Sequence, residues 1–379
     1  MLHQETKENL QYYCAFSYLS INPWFKTRVF QFFDYDIKKA FLANEKELKE
    51  LVEKENISIP KDYFYKKNKL SPIECYNNAF LDKNVKIITY NDKQYPPLLK
   101  QIPDFPLSLY YKGNIDIINY DHTLAIVGSR KASQEAKIAL NNILSDFKNS
   151  NLCVVSGLAY GIDTQAHTSA IENNIKTIGV IGSGLDITYP IQNKRLYQKI
   201  EEDSGVIFSE YPLKTKPFAY NFPQRNRIVT GMSKGTLVAE AQLKSGAMIS
   251  ANLTLEYNRE LMCIPGNITN PNTTGIYHLI KNGASIVCNS KDLLNCLDWD
   301  IIENNNNPAS FESENNNNFK IPLSDIQKKI FESVELEAQT FDSIVIKTKE
   351  KVSMVMVSLT ELELKGLIKQ VGNKYYKII

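Results

Sequence analysis

Residues 121–169 read DHTLAIVGSRKASQEAKIALNNILSDFKNSNLCVVSGLAYGIDTQAHTS, and this stretch decides the fold. A short apolar run, Leu124 to Val127, gives way to apolar residues at helical spacing (Ala136, Ala139, Leu140, Ile143, Leu144, Phe147) and then to a second run, Leu152 to Val155. Such a switch of period, from strand to helix and back, predicts a βαβ unit. The first predicted strand ends in Gly128-Ser129-Arg130. Small residues there free backbone N–H groups to face a ligand at the start of the next helix, which is where open α/β sheets hold anions. An arginine fixed beside such a nest points to phosphate.

Downstream of this unit the alternation continues. Strands are expected at Thr177 to Ile181, Val206 to Ser209, Thr236 to Ala239, Glu260 to Ile264 and Ser285 to Val287, with helices at Asn193 to Glu201, Ser250 to Tyr257 and Gly275 to Ile280. Upstream, Ile87 to Tyr90 reads as a strand, and the proline-punctuated segments Tyr95 to Leu99 and Pro103 to Gly113 read as connections. Seven or so strands separated mostly by helices imply an α/β fold, a Rossmann-like, doubly wound and largely parallel sheet over 80–300. Residues 1–70 show short helical periods broken at Asn22-Pro23, a small helical domain of the SAM or helix-hairpin-helix kind. Its end, Lys61 to Lys69, interleaves lysines with aromatics, the pattern of a single-strand-binding surface, but reads rather as a solvated linker with packed tyrosines. Residues 303–318 hold eight asparagines with almost no apolar content and read as a flexible linker. Beyond it, 320–379 shows three helical segments and two strand-like runs meeting at Gly372-Asn373, which describes a winged-helix domain.

Length and composition bound what these parts can do. A chain of 379 residues with 43% hydrophobic content can bury a full-sized core in two or three domains. Lys and Arg (44) nearly balance Asp and Glu (42), so any surface for a polyanion must be a local patch. The six cysteines form no C-x-x-C pair; Cys153, Cys263 and Cys288 sit in apolar runs and read as buried thiols of a reducing compartment. With no signal peptide and no long apolar span, a cytoplasmic protein is expected.

Three glycine turns each follow a predicted strand: Gly128-Ser129-Arg130, Ser156-Gly157 with Gly161, and Gly182-Ser183-Gly184. In this architecture the carboxyl ends of neighbouring strands converge on one crevice. None matches a dinucleotide fingerprint or a P-loop, so no cofactor is expected. A second constellation is Phe222-Pro223-Gln224-Arg225-Asn226-Arg227, whose arginines offer many donors and whose phenylalanine can present a ring to a base. The bland alternative is that Phe222 is core and one arginine pairs with Glu210 or Glu240. Lys244-Ser245-Gly246 opens another helix and could meet a further phosphate, and Lys176 is a cation beside a strand. Asp163 and His167 share a helix face and could serve acid–base chemistry, but a helix cap and a packed histidine account for them as well. The sequence is that of a site built to hold rather than to cut.

These residues stand in a longer pattern. YPPLLKQIPDFPLSLYYKGN (Tyr95 to Asn114), VGSRKAS (Val127 to Ser133), SGLAYGIDTQAH (Ser156 to His167), GVIGSGLDITYPIQN (Gly179 to Asn193), SEYP (Ser209 to Pro212), FPQRNRIVTGMS (Phe222 to Ser233), EAQLKSGAMISA (Glu240 to Ala251) and IPGN (Ile264 to Asn267) follow in order. In this the chain resembles the DprA/Smf DNA-processing proteins of bacteria, and Val352 to Tyr376 looks like their C-terminal winged-helix domain. The resemblance implies a non-catalytic homodimer that binds incoming single-stranded DNA in natural transformation, protects it and helps load RecA. It implies DNA-binding roles for Arg130, Lys176, Phe222, Arg225 and Arg227, and the turns and donors read from the residues add Gly128, Ser129, Asn226, Lys244 and Gly246. One departure lies in the N-terminal module, where members often carry a glycine-containing hairpin turn and this chain has Ile21-Asn22-Pro23-Trp24. Two rival readings are a nucleotide-processing enzyme of phosphoribohydrolase type, using Glu240 after Gly235-Thr236, and a regulator reading duplex DNA through the winged helix.

Overall fold

In the computed structural model the described residues are 6–118, 120–299, 324–334, 339–364, 367–371 and 374–377. They divide into two compact units, Met1–Asn307 and Pro308–Ile379. The asparagine-rich stretch 303–318 and the Gly372-Asn373 turn lie outside the described residues.

The first unit is built on nine strands: β1 (Lys86–Thr89), β2 (Ser108–Gly113), β3 (Thr123–Gly128), β4 (Cys153–Ser156), β5 (Lys176–Ile181), β6 (Gly205–Ser209), β7 (Gly235–Glu240), β8 (Glu260–Cys263) and β9 (Ser285–Ile286). They lie in the order β1-β2-β6-β5-β4-β3-β7-β8-β9. The run from β6 to β9 is parallel, and β1 and β2 add an antiparallel edge. Ser108–Gly113, expected as a connection, is therefore a paired strand with Leu109 and Tyr110 buried; the prolines stand before it, where no ladder hydrogen bond is lost.

Both faces of the sheet are covered, which is why its strands read as apolar runs rather than alternations. Along β3, Leu124 and Ile126 enter one core with Leu140, Ile143 and Leu144 of the following helix, while Ala125 and Val127 enter the other. That second core also takes in the N-terminal helices α1 (Lys7–Tyr18), α2 (Pro23–Phe32), α3 (Ile37–Leu42), α4 (Glu45–Glu55), α5 (Tyr63–Asn68) and α6 (Pro72–Ala79), through Phe16, Phe30 and Phe41 among others. Hydrogen bonds join the two parts: Ser17 Oγ with Tyr110 OH at 2.7 Å, and Thr27 Oγ1 donating to the Phe105 carbonyl at 3.0 Å. The helical module is thus continuous with the sheet domain. Cys14, Cys75, Cys153 and Cys263 are buried, but Cys288 is exposed just past β9, where the apolar run has ended.

The remaining helices of this unit are α7 (Gln134–Ser145), α8 (Ile162–Glu172), α9 (Lys194–Lys199), α10 (Asn221–Gly231), α11 (Gly246–Glu256), α12 (Thr274–Lys281) and α13 (Ser290–Leu297). The second unit has α14 (Asp325–Ser333), α15 (Phe341–Thr348) and α16 (Val352–Leu364) with β10 (Gln339–Thr340), β11 (Ile368–Val371) and β12 (Lys374–Lys377) in an antiparallel sheet ordered β10-β12-β11. Ile330, Ile344, Val355 and Leu359 form its own core. Among the described residues no helix is long and apolar enough to cross a membrane.

Candidate nucleic-acid interface

From β3 the chain winds outward through β4, β5 and β6, then returns to lay β7 on the other side of β3. The point of reversal opens a crevice at the carboxyl ends of the strands, where ligands of open α/β sheets sit. Here it has a volume of about 750 Å³.

Its first wall is the Gly128-Ser129-Arg130 turn. Register fixes this turn: Gly128 pairs with Glu240 across a bulge, and Ser129 N–H donates to the Glu240 carbonyl at 2.8 Å. The Glu240 carboxylate is buried and accepts from Ser133 N–H at 3.1 Å and Asn270 Nδ2 at 3.2 Å. Ser133 in turn caps α7. Gly161, at φ +78°, brings the start of α8 under the turn, and a Cβ there would lie 2.1 Å from the Ser129 carbonyl oxygen. Ile162 N–H donates to that oxygen at 3.1 Å. Arg130 is left exposed on a rigid support.

The opposite wall is α10. The Phe222 to Arg227 constellation, to which the sequence reading assigned no element, lies on a helix with Pro223 in its first turn, where a missing N–H costs nothing. The helical period sorts the constellation. Phe222, Arg225 and Asn226, three and four residues apart, face the crevice, whereas Arg227, five residues on, points to the other side. Phe222 meets Arg130 with its ring 5.2 Å from the guanidinium carbon, and Tyr189 lies 5.6 Å away on the same ring. Arg130 and Phe222 thus share one hollow.

The other expected contacts fall into three groups. Gly246 and Ser245 line the crevice, and Asn226 Nδ2 donates to the Gly246 carbonyl at 3.4 Å. The Ser245 hydroxyl is buried with no hydrogen-bond partner among the described residues, and Lys244 is exposed beside it. Arg225 is in the crevice floor but 3% exposed; its guanidinium donates to the carbonyls of Gly157 and Val180, and burial pushes its pKa down against the favourable charge of Asp163. It is a strut between α10, the turn after β4 and the end of β5. Gly157 is small because the Arg225 head occupies the place of its Cβ.

Arg227 is corrected in location: also 3% exposed, it pairs with Glu210 and lies 3.7 Å from Asp104, on the far side of α10. Burial alone would lower its pKa, and the two carboxylates reverse the sign. Lys176 is corrected likewise. It begins β5, in register with Cys153, so a whole strand separates it from the carboxyl ends. The third glycine turn does not line the crevice either, because Asn221 Nδ2 fills it by donating to the Gly182 carbonyl at 2.8 Å. Asp163 is buried on the crevice floor, with its pKa raised by burial. His167 is sealed in, bonded to Thr177 Oγ1 at 2.7 Å, with its pKa pushed down to about 3 by burial. Sequence reasoning passed over Tyr189, whose only signal was an aromatic next to a proline in the loop after β5.

Residues 86–298 match the family model described as DNA recombination-mediator protein A, and 320–374 match that of the DprA winged helix domain. The DNA processing protein DprA of Streptococcus pneumoniae is 38% identical over 272 residues, covering 69% of this chain and 95% of that one. Protein Smf of Escherichia coli is 34% identical over 296 residues, covering 78% of each. The X-ray structure of DprA from S. pneumoniae superposes with a TM-score of 0.65 at 31% identity, covering 77% of this chain and 98% of that one. A structure of DNA processing protein A from Helicobacter pylori, described for its single-stranded DNA binding mode, superposes at 0.51 with 28% identity, covering 56% and 95%. With its sheet, its turn and its tail all accounted for, the chain belongs to the DNA recombination-mediator protein A family.

Proposed function

We propose that the crevice binds single-stranded DNA, with Arg130, held out on the Gly128-Ser129 turn, seating a phosphate and Phe222 supporting a base. The observation that carries this is the exposed guanidinium of Arg130 held against the Phe222 ring at the mouth of the switch-point crevice. A cation beside an aromatic face is what a sequence-tolerant strand binder needs, because phosphate attraction and stacking together supply affinity without reading base edges. Gly246, Ser245 and Lys244 add a second small-residue turn on the same rim. The protein acts as a non-catalytic, cytoplasmic mediator: Glu240, the carboxylate an enzyme of nucleotide-processing type would use, is occupied in closing the Arg130 turn. Family membership supports a homodimer that protects the strand and passes it to RecA.

Fluorescence anisotropy with a labelled oligothymidylate tests the site. Arg130→Ala and Phe222→Ala should each weaken binding by about five- to a hundredfold, the range of one stacked base or one charge-assisted contact. Lys176→Ala should bind as the parent does. Affinity should fall with salt at about 0.7 log units per log unit of salt for each phosphate held. Unchanged binding by both crevice variants would remove the reading.

A further inference from the structure

The segment between β6 and α10 reads Lys214-Thr215-Lys216-Pro217-Phe218-Ala219-Tyr220-Asn221-Phe222, with cations and then aromatics at every second position. The chain is held as a rigid arch over the sheet ends. Lys214 N–H donates to both carboxylate oxygens of Asp186 at 2.9 and 3.1 Å, Gly184 N–H donates to the Thr215 carbonyl at 2.9 Å, and the buried Asn221 anchors the far end on Gly182. Alternation then divides the side chains. Pro217 and Ala219 line the crevice, which Phe222 enters from the first turn of α10, while Phe218 and Tyr220 remain 45% and 58% exposed. Their rings stack on each other at 5.5 Å and 6°. Lys214 and Lys216 are exposed on the same arch.

Two aromatic rings left in water on a fixed support are an unusual use of surface, since burying them elsewhere would stabilise the fold. Their position explains the exposure. Tyr220 lines a second cavity, of about 990 Å³, which shares Pro223 and Ile249 with the crevice, so a chain leaving the Phe222 ring meets the Phe218–Tyr220 pair next. Resting on the proposed function of the crevice, we infer that Lys214, Lys216, Phe218 and Tyr220 form a second subsite for the same single strand, stacking a base on the aromatic pair and seating phosphates on the two lysines. The occupant is a nucleic acid rather than an apolar protein surface because two exposed cations lead directly into the two exposed rings on one arch, which offers a charged backbone and its bases adjoining contacts.

The experiment compares oligothymidylates of about six and about fifteen nucleotides, within the span one such site covers. A Phe218→Ala/Tyr220→Ala double variant should bind the short strand as the parent does and lose about tenfold or more on the long one. Lys214→Gln/Lys216→Gln should lower the salt slope for the long strand by about 1.4, two phosphates' worth, and leave that for the short strand alone. Arg130→Ala reports on the crevice itself by weakening both lengths. If Arg130→Ala weakens both while the arch variants bind the long strand normally, the second subsite is overturned and the crevice stands. If the aromatic variant instead loses association between copies with strand affinity intact, the pair is a protein contact and the inference is likewise overturned.

Discussion

At the scale of single residues, three arginines separate by environment rather than by type. Arg130 is exposed on a turn, Arg225 is a buried strut bonded to two carbonyls, and Arg227 is a buried ion pair with Glu210. Their substitutions should separate too. Arg130→Ala removes a solvated charge and should change stability by no more than about 0.5 kcal/mol. Arg225→Ala leaves two carbonyls and the Asp163 carboxylate without their cation in a desolvated floor, and should cost about 3 kcal/mol or more. Urea midpoints at constant slope decide this, and equal losses for the two variants would contradict the assignment. What the sequence displayed here was chemistry without burial. It showed that Arg130 stood at a strand end, which sufficed to place it. It showed Arg225 and Arg227 as donors, but nothing in an R-N-R run says which way each side chain turns until the backbone is known to be helical.

At the scale of elements, the βαβ unit was legible because its apolar period changes twice within fifty residues, and the switch-point crevice follows from strand order. Two elements were not. Helix α10 begins with a proline in its first turn and carries polar residues on both faces of that turn, so its apolar period appears only from Ile228 onward. Strand β2 was hidden by the prolines before it, which read as loop although they lie outside the ladder. The same level holds a test of how the crevice is built. Gly161 adopts φ +78° and packs against the Ser129 carbonyl, whereas Gly246, on the opposite rim, has open space where a side chain would go. Gly161→Ala should cost about 1–3 kcal/mol for the left-handed backbone alone, and more because the Arg130 turn must move. Strand affinity should fall with it. Gly246→Ala, with open space for its methyl group, should keep stability. Thermal unfolding and anisotropy on the two variants measure this, and a Gly161→Ala protein as stable as the parent would show that the close approach is not what holds the turn.

At the scale of the whole molecule, the question is which unit carries the affinity for DNA. Winged-helix modules that read duplexes do so by laying a helix in the major groove, with cations on the flanking phosphates. The corresponding helix here is α16, VSMVMVSLTELEL, which contains no Lys or Arg and exposes Val352, Met354, Met356 and Val357. Residues 308–379 hold ten lysines and no arginine against ten acidic residues, so the unit as a whole has no net attraction for a polyanion. Its exposed face is apolar, which suits contact with protein and not with phosphate. The sheet unit, by contrast, has its own continuous core and contains every residue of the crevice and the arch. A chain ending at Asn307 should therefore fold and bind a long oligothymidylate with the affinity and salt slope of the full-length protein. Each phosphate contact supplied by the missing unit would instead lower the slope by about 0.7. Anisotropy titrations at three or four salt concentrations compare the two chains directly, and a shallower slope for the truncated one would return the winged helix to the DNA-binding surface.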